Sequence, residues 1–456
     1  MVLIMASHIQ RVEEIAQRWE QQGIRYVIFE LADMGGMPRS KIIPFSQWKR
    51  YAIEGLRMIG LMVTVDSRSD LVPGTHYSDE KNYGDSILVP DLSTAQVVPW
   101  LPHTARVICD PYWPDGTPLE AASRFVLRRV LKQLEDEGYT ALMALEYEFY
   151  LLKDAASREP VFERLHIFNN QSNFAVPVPA RIMDMLPQMG IEILTCNCEY
   201  GPGLYEITYG PQRGLQAGDQ GFTFKQGVKA IAREQGYHAT FMTKPFPNYS
   251  AAGAHLHLSL YNEREENVLL DNNDANGLST IAYHFMQGMI QHAPATMALV
   301  APTPNCFQRF IEHSFAPVNA SWGLDDRTAL IRAKNSRDEN THLENRLPCA
   351  MSNPYLALAA VLAAGLLGLK DAQKPPALVS QPAGETKDFA ALPANLAEAL
   401  LALEDNSALR EILGEEFTEI FITTKRYELA RQTEYVEQQA KAAALNWQLH
   451  EYLEDY

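Results

Sequence analysis

Residues 141–152 read Ala141-Leu142-Met143-Ala144-Leu145-Glu146-Tyr147-Glu148-Phe149-Tyr150-Leu151-Leu152, and the rest of the chain can be placed around them. Their aliphatic and aromatic content predicts a strand, and side chains of a strand alternate faces, so Glu146 and Glu148 leave the same face two positions apart. Adjacent carboxylates repel. Burying both is costly unless a proton or a cation holds them, and a divalent metal is the natural counter-charge. Taken alone, the pair also fits a solvated edge strand.

A second pair, Glu199 and Glu206, brackets Tyr200-Gly201-Pro202-Gly203, a turn that would bring the ends of a short hairpin together. A plain hairpin with surface glutamates is the alternative. The segment lacks the third glycine of a dinucleotide fingerprint, and no phosphate-loop lysine motif occurs anywhere, so nucleotide-loop readings fail. Ala254-His255-Leu256-His257-Leu258-Ser259-Leu260 alternates strictly, sending His255, His257 and Ser259 to one face and the leucines to the other. A lone histidine there is more often a satisfied core residue, but two plus a hydroxyl fit that reading less well. Carboxylates mixed with imidazole suit magnesium or manganese better than structural zinc. Arg309, Arg327, Arg332 and Arg346 fall within 38 residues, with Glu344 two positions before Arg346 on a predicted strand. Converging guanidinium forks suit carboxylate or phosphate oxygens, although surface ion pairing is the default for any one of them.

Toward the N-terminus, a helix over 9–22, a strand over 25–31 and a Gly35-Gly36 turn open a small sheet domain. Strand-like pieces at 60–65 and 87–89 flank a loop over 66–84, too long for a simple connector. Thr117, Pro118 and Glu120 predict a helix start with Thr117 as N-cap, and place a domain boundary near residue 110. That helix would carry Leu119, Ala122, Val126, Val130 and Leu134 on one face and stop at Gly138. Beyond it strands and helices mix to about residue 350, and the remainder is helical apart from a linker-like stretch at 374–387.

The chain has 456 residues, enough for two or three domains with a large core. A net charge of −17 without a basic cluster argues against nucleic acid as partner. The longest apolar run, 355–369, falls short of the roughly 20 residues that span a membrane, and the first residues carry no readable secretory signal. No membrane and a cytoplasmic location are therefore expected. Five scattered cysteines without a CxxC pair fit reduced thiols.

Five motifs, in order, resemble the series of the glutamine synthetase family: Leu145-Glu146-Tyr147-Glu148-Phe149, Glu199-x-x-Pro202-Gly203-x-x-Glu206, Gly253-Ala254-His255-x-His257-x-Ser259-Leu260, Asn305-x-x-x-Arg309 and Glu344-x-Arg346. The resemblance implies an α+β chain with a small β-grasp-like N-terminal domain, residues 1–110, and a large glutamine-synthetase-type α/β catalytic domain, residues 111–456. It implies a homo-oligomer, a dodecamer of two stacked hexameric rings with shared active sites. Carried over motif by motif, Glu148, Glu199 and Glu206 would hold one Mg2+ or Mn2+ and Glu146, His255 and Glu344 another, two or three ions per site. Arg309 and Arg346, with Ala251 and Gly253, would bind glutamate; Arg327 would stabilise the transferred phosphoryl group; His257, Ser259 and Arg332 would contact ATP. The implied reaction is attack of the glutamate γ-carboxylate on ATP, then displacement of phosphate by an amine.

Three departures bear on the amine. Ser250-Ala251 replaces the Asn-Gly that precedes the histidine strand in the family. Asp66-Ser67-Arg68-Ser69 stands roughly where an Asp-Gly-Ser-Ser latch is expected, which makes Asp66 the candidate for amine deprotonation. Phe315, in Ser314-Phe315-Ala316-Pro317, occupies the place of the glutamate that binds ammonium. An aromatic wall in place of a carboxylate points to the branch that makes γ-glutamyl amides of small organic amines, methylamine first. Glu312 keeps a polyamine as an alternative, with ammonia as the other; a non-catalytic relative is disfavoured by the intact carboxylate and arginine sets. No tyrosine lies between Gln373 and Leu400, so adenylylation there is not expected.

Overall fold

The computed structural model describes residues 2–164, 167–379, 382–438 and 443–453; Ser380 and Gln381, in the linker-like stretch, lie outside them. An opening helix, Val2–Gln21, precedes a six-stranded sheet of β1 (Tyr26–Ala32), β2 (Pro38–Pro44), β3 (Leu56–Ile59), β4 (Asp85–Pro90), β5 (Gln96–Val97) and β6 (Thr104–Tyr112). Their order is β2-β1-β6-β4-β3, with β5 also on β6; β1 and β6 run parallel and the other pairs antiparallel.

Two local expectations are corrected here. Residues 60–63 are a 3-10 helix rather than a strand, with Thr64 N donating to Leu61 O at 2.9 Å. Leu61, Val63 and Val65 are buried all the same, so the apolar and β-branched residues that resembled a strand serve packing rather than an extended backbone. Nor does Thr117 cap a helix: its N and Oγ1 both donate to Asp115 Oδ1, at 2.9 and 2.7 Å, and Pro118 forms an isolated bridge with Tyr112. The helix runs Ser123–Asp136 from Ala122, which caps with no side-chain bond. The capping pattern was spent on an Asx turn.

The second sheet has nine strands: β7 (Thr140–Leu152), β8 (Ile193–Cys198), β9 (Leu204–Tyr209), β10 (Gln212–Arg213), β11 (His238–Thr240), β12 (Ala254–Tyr261), β13 (Trp322–Leu324), β14 (Ile331–Lys334) and β15 (His342–Asn345). The order β13-β14-β15-β12-β7-β9-β8 puts β7 near the centre, with β10 and β11 pairing to its two ends. Along β7 the odd residues Ala141 to Phe149 are buried and the even ones half-buried, so the apolar face is packed and the carboxylate face opens outward. Tyr147, on the packed face, stacks on Phe224 of the helix Leu215–Glu234 with ring centroids 5.7 Å apart.

The apolar run at 355–369 lies in the helix Pro354–Asp371, long and apolar enough by composition to cross a membrane yet buried on almost every residue. It crosses the helix Thr280–Gln291 at Gly288 and Gly368. A Cβ on Gly288 would stand 2.5 Å from Gly368 N, so the backbones approach more closely than any side chain permits. This is a core helix.

Candidate active site

Strand register assembles the site. On β7, Glu146 lies opposite His255 of β12, and Glu148 lies opposite Glu206 of β9. Across β12 and β15, His257 faces Glu344, which in turn faces Arg332 of β14. Because all these positions share one pleat face, five strands distant in sequence deliver carboxylate, imidazole and guanidinium groups to one surface. Glu199 follows β8, half-buried, and accepts from Asn197 Nδ2 at 3.0 Å.

Among the described residues, two sets of three ligand atoms lie within 4.8 Å of one another: Glu146 with His257 and Glu344, and Glu146 with Glu206 and His255. Glu146 is thus shared, and His257, expected beside ATP, is also placed as a potential ligand. Glu148 instead accepts from the amide of Gly253 at 2.8 Å.

The electrostatics fit a cation site. Burial and the charges of Glu146, Glu148 and Glu199 push the Glu206 carboxyl up to about 10. Burial and Glu148 push Glu199 up to about 7. Burial opposes ionisation of Glu146 too, but the His255 and His257 imidazoles outweigh it and hold that carboxyl well below the usual range. Imidazole hydrogen bonds thus keep Glu146 ionised while Glu206 is relieved only by a proton, an imbalance that a divalent cation corrects. Glu146, Glu206, Glu344, His255 and His257 offer the oxygen-rich donor set that a divalent cation takes. When bound, such an ion neutralises phosphate oxygens and the charge that develops during phosphoryl transfer.

Glu344 is fully buried beneath the arginines. Arg332 Nη1 donates to its Oε2 at 2.9 Å and Arg346 Nη1 to its Oε1. Burial resists its ionisation, yet His255 and Arg346 bring the carboxyl down to about 2. Arg309 is 4% exposed; its Nη1 donates to the carbonyls of Arg346 and Leu347 at 3.0 and 3.1 Å, and its Nη2 approaches His255 Nε2 at 3.2 Å. A guanidinium cannot accept, so His255 Nε2 is the acceptor and Nδ1 carries the proton toward Glu146 Oε1, 3.2 Å away. Gly253 makes this approach possible, because a Cβ there would lie 2.9 Å from Arg309 Nη2 and 3.1 Å from His255 Nε2.

Beside Glu146, a cleft of about 460 Å³ is lined by Ala144, Leu145, Leu194, His257, Ser259 and His342. His342 was missed in the sequence although it alternates with Glu344 on β15; its Nε2 lies 3.0 Å from His257 Nδ1. Asp325, also missed, accepts from Arg332 Nη2 at 2.6 Å.

Other expected residues lie apart from this cluster. Arg327 is exposed on the turn between β13 and β14, and Ala251 is half-buried just before β12. Asp66 is buried; its Oδ1 accepts from the amides of Arg68 and Asp70, and its Oδ2 lies 2.7 Å from Arg431 Nη1. None of these partners belongs to the carboxylate cluster. Phe315 has φ +57° and a 66% exposed ring beside a second cleft, about 780 Å³, shared with Glu312 and Phe389.

The sheet presents acids, imidazoles and arginines together beside a cleft, a donor set suited to a divalent cation and to anionic substrates. The chain belongs to the glutamine synthetase family, whose catalytic domain matches residues 120–443. It is 31% identical over 449 residues to the glutamate–isopropylamine ligase of a Pseudomonas species, covering 95% of this chain and 96% of that protein. It is 32% identical to the glutamine synthetase of Halobacterium salinarum over 96% of this chain and 95% of that protein. Among solved structures, one described as a GmaS/ADP complex superposes with a TM-score of 0.84 at 27% identity, covering 94% of this chain and 98% of the other. The family's ligases act on glutamate, ATP and an amine, and use divalent metals.

Proposed function

We propose that the protein joins the γ-carboxylate of glutamate to a small alkylamine, methylamine first, through γ-glutamyl phosphate, releasing ADP and phosphate; it resembles γ-glutamylmethylamide synthetase. The observation that carries this reading is Phe315. Its ring offers an apolar or cation–π wall where a carboxylate would favour ammonium, and the likeness to an isopropylamine ligase supports it.

In this reading Arg309 and Arg346 bind glutamate, with Ala251 and Gly253 shaping its α-amino end. Arg327 folds toward the transferred phosphoryl group, while Arg332, His257 and Ser259 face ATP in the cleft beside Glu146. Carboxylates are poor electrophiles, so phosphorylation supplies the leaving group that the amine then displaces. Asp66 takes the amine proton from a neighbouring subunit, which requires the ring assembly expected of a dodecamer. The N-terminal domain ends near residue 110 in this scheme, and the enzyme works in the cytoplasm.

Glu312 lines the same cleft as Phe315 and favours, as a second reading, an amine with a distal ammonium group. Following ADP release with glutamate and a panel of ammonia, methylamine, isopropylamine and putrescine tests both. Preference for ammonia would overturn the first reading, and preference for putrescine would select the second.

A further inference from the structure

Away from the acidic site, a polar cavity of about 190 Å³ lies between the two sheets. Gln96, Arg106 and Ile108 wall it from the first sheet, and Gln216, Gln220 and Thr223 from the helix Leu215–Glu234. Gln220 is 6% exposed, and neither its Nε2 nor its Oε1 has a hydrogen-bond partner among the described residues. Arg106 is equally buried; Nη1 donates to Glu30 at 2.6 Å and Nη2 to Thr223 Oγ1, while Nε is left without a partner.

Buried amides are nearly always satisfied, so a wholly unpaired one on a cavity wall marks a missing partner. The charges nearby lean acidic: Arg106 pairs with Glu30, while Arg124 is shared by Asp219, Asp91 and Asp110. No guanidinium charge is left over to call for an anion, and the unpaired groups on the wall are a neutral amide and a single N–H. What the wall lacks is an acceptor for Gln220 Nε2 and Arg106 Nε, and a donor for Gln220 Oε1.

A primary carboxamide supplies both in one plane and can pair reciprocally with the Gln220 amide. A carboxylate would set oxygen against Oε1, and a trans N-alkyl amide turns its N–H away from its own carbonyl. We propose that this cavity is a binding site for a small primary carboxamide, the class that includes the side chain of glutamine. Sensing glutamine there would suit a glutamate–amine ligase, and that regulatory role alone rests on the proposed ligase function.

Butyramide is the probe, because it lacks the α-amino and α-carboxylate groups that an amino-acid site needs. Titrated into the full chain without nucleotide, glutamate or amine, and followed by calorimetry and ligand-observed NMR, it should saturate. N-methylbutyramide and butyrate should bind at least about tenfold more weakly, as expected for one or two lost buried hydrogen bonds. Gln220→Met keeps the volume and should lose the same factor. Gln216→Trp, at an exposed helix position, should block the mouth if the first variant fails to fold. Absence of saturation, meaning that water alone fills the cavity, would overturn the proposal. So would equal binding of butyramide and butyrate, or undiminished binding to either folded variant. No turnover is read, so failure here leaves the ligase assignment standing, and loss of that assignment leaves the binding result intact.

Discussion

The Arg346 guanidinium reaches the main-chain carbonyl of Phe315 with Nη2 at 3.2 Å, while its Nη1 holds Glu344. One buried arginine thus ties the segment that carries the aromatic ring to the carboxylate at the centre of the site. The backbone of Phe315 is anchored while its ring stays exposed, so ring chemistry can be changed without moving the site.

Phe315→Glu should therefore shift selectivity toward ammonia. An apolar wall gains about 0.8 kcal/mol per methyl removed from water, roughly fourfold, and the new carboxylate would favour ammonium further. The left-handed φ strains Glu no more than Phe, so folding is not at issue. Competition between methylamine and ammonia on both proteins checks this; an unchanged ratio of specificity constants would remove Phe315 from amine selection.

Glu344→Gln should destabilise the protein without any ligand. The substitution leaves Arg346 with an uncompensated buried charge and Arg332 with only the exposed Asp325, and breaking such buried pairs costs about 3–5 kcal/mol. With its carboxyl down to about 2, wild-type Glu344 contributes stability that is fully present above the unfolded value near 4.5 and is lost as pH falls toward 2. Chemical denaturation of both proteins at pH 7 and pH 3 should show the gap narrowing at the lower pH.

Divalent cations should stabilise the protein more at pH 8 than at pH 6. Glu206, raised to about 10, and Glu199, raised to about 7, bind protons in the folded state that the unfolded chain has released. Without a cation, stability is fullest below about pH 4.5 for these two groups and declines as pH rises through their folded values. A cation replaces those protons. The Tm difference with and without Mg2+ should widen with pH; a flat difference would place metal binding elsewhere.

Gly253→Ala should act on glutamate binding more than on stability. The new Cβ meets Arg309 Nη2 at 2.9 Å, and the end of a flexible side chain gives way more readily than backbone. We expect KM for glutamate to rise about tenfold or more, with Tm nearly unchanged. A large Tm loss with normal KM would show that Arg309 has only a structural role.

Much of this site was legible because its signals are local. Alternation in 141–152 and 254–260 reports which face a side chain takes, and that face survives in β7 and β12. Where local patterns have two outcomes, the sequence misled: the Asp115–Thr117 pair serves an Asx turn as readily as a helix cap, and 60–65 buries its apolar residues in either conformation.

Residue types and spacing by themselves determined the family, the two carboxylate pairs, the histidine face and the aromatic substitution at Phe315. Those facts rest on chemistry carried within short segments. Only tertiary structure decided that Glu146 is common to two ligand sets, that His257 meets His342, that Asp66 is gripped by Arg431, and that Gln220 is left unpaired. Each of these depends on the register between strands, or on the packing of elements far apart in the chain. No local pattern encodes such pairings, because the free energy that selects them comes from burying many surfaces at once.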